Sequence, residues 1–103
     1  MNIRIIQNGK TNTYKLGDVS GSAYRKFLVV KDRTMEEIRT NNYTVETYDE
    51  TIDYIVSAFN NQFTANELLD SMFVQDIFLL VPQIEEEIVK KAENKMKKLA
   101  STL

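Results

Sequence analysis

Residues 49–72 hold two short amphipathic segments separated by a polar break, and this stretch constrains the fold more than any other. The apolar positions of the first segment recur at helical spacing and are Ile52, Ile55, Val56 and Phe59. The polar residues 60–62 interrupt that spacing, and an apolar face resumes from Leu68. We predict a helix, a sharp break and a second helix, with Phe59 and Phe63 in contact across the break.

Threonine residues mark the predicted starts of both helices. Thr47 and Glu50 have the separation of a capping box, in which each side chain accepts a hydrogen bond from the backbone N–H of the other residue. Thr64 and Glu67 repeat the pattern before the second helix. The two pairs predict helix starts at Thr47 and at Thr64.

Three acidic residues, Asp49, Glu50 and Asp53, cluster on the first of these helices. Paired carboxylates can serve acid–base catalysis or bind a hard cation. Acids in a first helical turn are also stabilised by the helix dipole, and neither a partner nucleophile nor a glycine-containing calcium loop accompanies these three. We therefore interpret the cluster as structural.

The composition excludes several chemistries. The 103 residues include no cysteine and no histidine, so the chain has no disulfide, no thiolate or imidazole metal ligand and no histidine general base. We predict that the protein is not an enzyme and uses no cofactor or metal. A signal-peptide h-region is missing, and no apolar run approaches the roughly 20 residues of a membrane span, which favours a soluble intracellular protein.

Charge is distributed unevenly along a chain whose net charge is −2. Residues 1–42 contain eight basic and four acidic residues, and residues 40–89 contain ten acids and no Lys or Arg. Residues 90–103 contain five lysines and one glutamate. The acidic middle either pairs with the basic ends or meets a basic partner, because complementary charge steers association. Residues 40–89 are the opposite of the basic face with interspersed aromatics that a nucleic-acid binder usually shows, which argues against nucleic-acid binding there.

The remaining segments predict a predominantly helical α+β fold in a single domain, residues 1–103. Residues 2–7 and 11–16 are rich in β-branched and other strand-forming residues and flank Asn8-Gly9, a strong turn signal. Residues 1–17 are therefore predicted to form a β-hairpin. Because an isolated hairpin is only marginally stable, it must pack on a helix or pair with another chain.

Residues 20–81 are predicted to form a helical core after the hairpin. Residues 22–39 have helical spacing, with a break expected at Asp32–Thr34 because a further capping pattern starts at Thr34. Residues 43–48 are β-prone, and we predict an extended linker or an edge strand there.

Residues 83–103 predict a C-terminal amphipathic helix that is able to project from the domain. Pro82 precedes it, and because proline lacks an N–H we expect a kink or a restart of the helix. Glutamate–lysine pairs four residues apart support the helix. Its apolar stripe, which can dock on a partner helix or a second copy, comprises Ile84, Ile88, Ala92 (or Lys91), Lys95 or Met96, and Leu99.

Residues 49–70, DETIDYIVSAFNNQFTANELLD, resemble the tail assembly chaperones of long-tailed (siphovirus-type) bacteriophages or prophages of Gram-positive bacteria. The resemblance extends loosely over most of the chain. It implies a protein that binds the tape measure protein, keeps it soluble and helps recruit the tail tube (major tail) protein during tail morphogenesis. It also implies action in the cytoplasm of the bacterial host, and self-association, since chaperones of this type can form rings or spirals.

The resemblance carries no catalytic residue, so we expect the functional site to be a partner-binding surface. The candidates are apolar residues of this stretch and its neighbour, surrounded by acids. They are Tyr54, Phe59, Phe63, Leu68 and Phe73, with Asp49, Asp53 and Glu67. The alternative is that the apolar members form the core, and the sequence leaves open which apolar face turns outward.

Two other functions fit the same sequence. One is a different phage structural protein, such as a head–tail connector or tail completion factor, which would remain in the finished particle. The other is a small DNA-binding regulator with a helix-turn-helix in residues 22–39 or 49–72. The lack of basic residues between Thr40 and Val89 argues against the second of these positions.

Overall fold

A computed structural model describes residues 1–102 and shows a two-stranded hairpin followed by four helices. The elements are β1 (Asn2–Gln7), β2 (Lys10–Lys15), α1 (Gly21–Arg39), α2 (Val45–Ala58), α3 (Ala65–Ser71) and α4 (Val74–Ser101). The predicted α+β class with a predominance of helix is confirmed. Leu103, the last residue of the predicted C-terminal helix, lies outside the described residues.

The hairpin forms where the sequence predicts it. Asn8 and Gly9 have positive φ angles of 51° and 75°, the left-handed conformation that a tight two-residue turn between antiparallel strands favours. Ile3 and Ile5 point into the core, while their neighbours on β1 point outward. The backbone of β1 also donates a hydrogen bond to the Ser71 Oγ of α3 at 2.8 Å. The hairpin therefore packs on the helices instead of standing alone.

α1 is one continuous helix, so the break predicted at Asp32–Thr34 is wrong. Ser20 caps its start and accepts a hydrogen bond from the Ala23 N–H at 3.1 Å. No proline interrupts residues 22–39, and Phe27 and Val30 bury one face of the helix. A capping pattern inside a helix has no free N–H groups to satisfy, because the preceding turn already supplies their acceptors.

α2 begins earlier than predicted. Thr44 is the N-cap and accepts a hydrogen bond from the Thr47 N–H at 3.3 Å, so the predicted start at Thr47 and Glu50 is wrong. Most of residues 43–48, predicted as an extended linker or edge strand, belong to the first turn of this helix. The Glu37 carboxylate of α1 accepts a hydrogen bond from the Thr44 N–H at 2.9 Å. This tertiary contact outweighs the local β propensity.

α2 is the central helix of the fold, because the other helices surround it. Its buried residues are Thr47, Thr51, Ile52, Tyr54, Ile55, Val56 and Ala58. Asn60 and Asn61 end the segment with positive φ angles of 59° and 57°, as the polar break predicts. The capping box of Thr64 and Glu67 is confirmed at the start of α3.

α4 passes through Pro82 without a break, so the predicted restart of the helix is wrong. An interior proline costs a helix about 3 kcal/mol because it removes a backbone hydrogen bond and introduces a clash. Leu80 and Ile84, on either side of Pro82, are both buried in the core. Burial of each contributes about 1.5–3 kcal/mol, which offsets the cost. The side chain of Pro82 itself is exposed, away from the core contacts.

The basic face of α1 pairs with acids from the middle of the chain. Lys26 Nζ lies 2.9 Å from Asp53 Oδ2, and Lys31 Nζ lies 3.5 Å from Glu85 Oε1. These contacts support the interpretation that the acidic middle of the chain pairs with its basic residues. Among residues 1–102, no helix combines the length and apolarity needed to cross a lipid bilayer.

Candidate functional site

The apolar residues predicted to bind a partner lie mostly in the core. Tyr54, Phe59, Phe63 and Leu68 are at most 3% exposed. The rings of Phe59 and Phe63 lie 5.6 Å apart, which confirms the predicted contact across the break. These four side chains have no exposed surface through which to contact a partner directly. The alternative interpretation, a structural core, describes their positions in this structure.

The other predicted residues are dispersed. Phe73 is 75% exposed at the start of α4, beside β1 and away from the other candidates. Asp49 and Asp53 are exposed on α2, and Asp53 pairs with α1. Glu67 accepts hydrogen bonds from the Thr64 N–H at 2.8 Å and from Gln7 Nε2 at 3.2 Å. The acids therefore do not surround a single apolar site.

An apolar groove of about 250 Å³, here called the α1–α4 groove, lies between α1 and α4 with a floor formed by α1 and α2. The α1 wall comprises Lys31, Thr34, Met35 and Ile38. The α4 wall comprises Phe78, Val81, Pro82 and Glu85. The floor comprises Phe27, Val30, Thr51 and Tyr54, and Tyr43 also lines the groove. An engineered cavity of about 150 Å³ accommodates benzene, so this groove has room for at least one large side chain.

The walls of the α1–α4 groove expose large apolar side chains to solvent. Met35 is 66% exposed, Ile38 60% and Phe78 43%. Single exposed apolar residues are common on protein surfaces, but a contiguous set around a depression is typical of an interaction site.

An ion pair joins the two sides of the groove, and an aromatic cluster joins α4 to α2 and to the loop before α2. The Lys31–Glu85 pair links α1 to α4 directly, and Lys31 Nζ also lies 5.4 Å from the centre of the Phe27 ring. Tyr43, Tyr48 and Phe78 form an aromatic cluster with ring centroids 5.8–6.2 Å apart. These contacts hold α4 against α1 and α2 at the groove, and the groove exposes its walls more than its floor.

The apolar stripe of the groove continues along α4 past the end of the core. Val89, Met96 and Leu99 are 48%, 69% and 66% exposed. Every residue from 92 to 102 is exposed. Phe78, Glu85, Ala92 and Leu99 recur every seven residues, as do Pro82, Val89 and Met96. One face of α4 is therefore largely free of contacts within residues 1–102, from the groove to the end of the helix.

Three residues that line the groove carry buried hydroxyl groups without a hydrogen-bond partner in residues 1–102. They belong to Thr34, Tyr43 and Tyr54. Tyr43 lies close to Thr51, but no hydrogen bond of normal geometry joins their side chains. A buried hydroxyl without a partner costs about 1–3 kcal/mol. Burial raises the pKa of Tyr43 and of Tyr54, so both hydroxyls are neutral donors at physiological pH.

A polar network joins α1 to the start of α2 and so positions the groove. The Glu37 carboxylate, 12% exposed, accepts hydrogen bonds from the Thr44 N–H and from the buried Thr47 Oγ1. Arg33 Nε donates to Thr47 Oγ1 at 3.0 Å, and the guanidinium also pairs with Glu50. This network holds the C-terminal half of α1 against α2.

We expect the α1–α2 network to weaken in acid. Hydrogen bonds from Thr44 and Thr47 hold the pKa of Glu37 below its ordinary value of 4.5. Because the folded-state pKa is the lower one, the unfolded chain binds more protons, and stability falls as the pH drops from about 5 through the folded-state pKa. Urea unfolding at a series of pH values measures this. A Glu37→Gln variant should be less stable than wild type at pH 7, with the difference narrowing in acid.

A matched control is Glu93→Gln, which removes the same charge from the exposed end of α4. Its stability should follow that of the wild type at every pH. The free energies of unfolding of wild type and Glu37→Gln could instead differ by the same amount at every pH. In that case Glu37 does not contribute to acid sensitivity.

The groove contains chemistry for binding apolar surface. Its lining combines apolar side chains with four hydroxyl-bearing residues and one ion pair. In the part of the chain that the structure describes, no group of three acidic residues is placed to hold a metal ion. The sequence signal that points to this site is the spacing of Lys31, Met35 and Ile38 on α1. These residues share one face of α1, but the sequence does not show that this face is left uncovered.

The fold is that of a small, predominantly helical module with an apolar groove on its surface. Over residues 1–102 the chain matches the family described as phage tail chaperone protein, and it belongs to that family. The family consists of chaperones and not of enzymes. Comparison with curated proteins found no significant match, and comparison with solved structures found none either.

Proposed function

We propose that this chain binds the tape measure protein of a long-tailed phage, keeps it soluble and helps to recruit tail tube subunits. The single observation that supports the proposal best is the α1–α4 groove, with its apolar stripe continuing to Leu99. A chaperone of a long helical protein needs an open apolar surface of this kind. The siphovirus-type, Gram-positive assignment and action in the host cytoplasm are part of the same proposal and rest on the residues 49–70 signature.

The dimensions of the groove and stripe suit an amphipathic helix. The stripe from Phe78 to Leu99 covers 22 residues, whose 21 rises of 1.5 Å span about 32 Å. A helix of about 20 residues lying along α4 would cover the exposed stripe and insert one or two side chains between α1 and α4. This is the mode in which amphipathic helices dock into hydrophobic grooves, with anchors spaced three, four and seven residues apart.

The charge around the stripe favours a partner helix with acidic flanks. Residues 90–102 carry five lysines and one glutamate, and among the described residues the ion pairs of this segment with acids are those of Lys90 and Lys91. A helix bearing acidic residues beside its apolar face would pair with the remaining lysines. Such contacts at the rim of an interface affect the association rate and partner choice more than the affinity.

Co-expression tests the proposal. The tape measure protein encoded in the same genome should be insoluble alone, soluble with this chain, and retained with it through purification. A tape measure protein whose solubility does not depend on this chain would contradict the proposal.

The composition of finished particles provides a second test. Mass spectrometry of finished phage particles should find the tube protein but not this chain. Detection of the chain at stoichiometric amounts would favour a connector or a tail completion factor instead.

A further inference from the structure

The outer edge of β2 presents backbone groups that have no partner among residues 1–102. The Leu16 N–H donates to the Met1 carbonyl oxygen at 3.0 Å, so these two residues form a hydrogen-bonded pair at the end of the hairpin. Hydrogen-bonded and non-hydrogen-bonded pairs alternate along antiparallel strands. From this register, the N–H and C=O groups of Thr11, Thr13 and Lys15 point away from β1.

The opposite edge of the hairpin shows the same alternation but is covered. The Ile6 N–H on β1 points away from β2 and donates to the Ser71 Oγ of α3 at 2.8 Å. On β2 every side chain except that of Tyr14 is exposed, and within residues 1–102 the sheet has two strands only. A row of unpaired N–H and C=O groups at the edge of a sheet is a template on which another strand can add.

The hairpin is also basic, and its charges lack partners in the described part of the chain. Arg4, Lys10 and Lys15 lie in residues 1–17, which contain no acid. None of the three forms an ion pair within residues 1–102. Two copies of this edge, each with three such cations, would repel one another, which disfavours a second copy as the added strand. An acidic strand would be attracted, because complementary charge steers association.

We propose that the outer edge of β2 binds an extended acidic segment of a partner protein, which adds to the hairpin as a third strand. Thr11, Thr13 and Lys15 each supply one N–H and one C=O, and these backbone groups provide the affinity. Lys10 and Lys15 select acidic side chains. The inference goes beyond the proposed function, because none of residues 1–17 lines the α1–α4 groove. It gives the chain a second kind of ligand, a strand in place of a helix.

The test uses the full chain and two synthetic peptides of about ten residues, the upper end of ordinary strand length. One peptide alternates glutamate with valine, and the other alternates lysine with valine. The glutamate peptide should bind and the lysine peptide should not. At saturation the glutamate peptide should slow solvent exchange of the Thr11, Thr13 and Lys15 amide protons about tenfold or more, as measured by NMR. Protection at these positions reports backbone pairing, because a peptide held by charge alone leaves the amides open to water.

Substitutions of Thr13 separate backbone pairing from side-chain contacts. The Thr13 N–H is not used within the hairpin, so proline is tolerated there, as it is on other edge strands. Thr13→Pro should bind the glutamate peptide about tenfold more weakly than wild type, because a backbone hydrogen bond to the added strand is lost. Thr13→Val keeps the N–H and should bind as wild type does.

Charge reversal tests the same edge without altering its backbone. Lys15→Glu should weaken binding of the glutamate peptide about fivefold at low salt. Arg25→Glu, the same change on the exposed surface of α1, should not weaken it. If Thr13→Pro does not fold, the amide protection in wild type and the effect of Lys15→Glu still decide the question.

Three results would overturn the proposal. The glutamate peptide does not bind, it binds without protecting the three amides, or it binds folded Thr13→Pro as tightly as wild type. The second and third results would identify a basic surface that attracts anions without strand addition. None of these results depends on whether the tape measure protein binds the α1–α4 groove, so the two proposals can fail separately.

Discussion

Replacing Phe59 with alanine is expected to lower the free energy of unfolding by about 3–5 kcal/mol. Phe59 is fully buried at the end of α2, and its ring packs 5.6 Å from that of Phe63. Phe63 in turn lies 5.5 Å from Tyr14 of the hairpin. The substitution leaves a cavity where α2, the polar break and the hairpin meet.

The expected loss is large relative to the total stability of a chain of 103 residues. Domains of this size are stable by about 5–15 kcal/mol, so Phe59→Ala should leave part of the population unfolded near physiological temperature. Urea unfolding followed by circular dichroism measures the change. Phe73→Ala removes the same ring from a position that is 75% exposed, and it should shift stability by no more than about 0.5 kcal/mol.

Binding experiments on variants of residues 49–72 have to account for this expected loss of stability. If Phe59→Ala fails to bind the tape measure protein, the cause is the loss of the folded core, because the ring is not accessible to a partner. A Phe59→Ala chain with wild-type stability would show that the break is packed less tightly than the structure indicates.

The second large effect is expected for Met35→Asp, which should weaken binding of the tape measure protein about 100-fold, or roughly 2.7 kcal/mol. Met35 is 66% exposed on the α1 wall of the groove. In the free protein an aspartate there stays in water, with Lys31 and Arg39 one turn away on either side. In the complex its carboxylate is buried against apolar side chains, which carries a large desolvation cost.

Val29→Asp is the matched control for Met35→Asp. Val29 is 62% exposed on the same helix but lies outside the α1–α4 groove, beside Arg25 and Asp53. Both variants should fold with stability close to that of wild type, and only Met35→Asp should lose co-purification with the tape measure protein. Equal binding by both variants would place the docking surface elsewhere, for example around Phe73.

The sequence correctly predicted those turns and helix ends that depend only on residues close by in the chain. The Asn8-Gly9 turn, the Asn60-Asn61 break and the Thr64–Glu67 capping box all formed as predicted. In each case the physical cause lies within four residues. Asparagine and glycine tolerate the left-handed backbone conformation, and a threonine side chain reaches the N–H groups of its own helix.

The errors arose where tertiary contacts outweighed local preference. α2 starts at Val45 because Glu37, on another helix, accepts the Thr44 N–H. α4 continues through Pro82 because Leu80 and Ile84 are both buried against the core. The sequence around the helix end does not show the contact with Glu37, and the sequence around the proline does not show the contact with the core.

The position of the open apolar groove was decided by tertiary structure alone. The sequence by itself determined that the chain has more amphipathic helical faces than one small core can bury, and its 49–70 signature pointed to the phage tail chaperones. It did not determine which face stays open. The spacing of apolar residues identifies the apolar face of a helix, but it does not show which other helix packs against that face. Because the other helices surround α2, Tyr54, Phe59 and the other core residues of the signature are buried. α1 and α4 are held apart above it, which leaves Met35, Ile38 and Phe78 exposed.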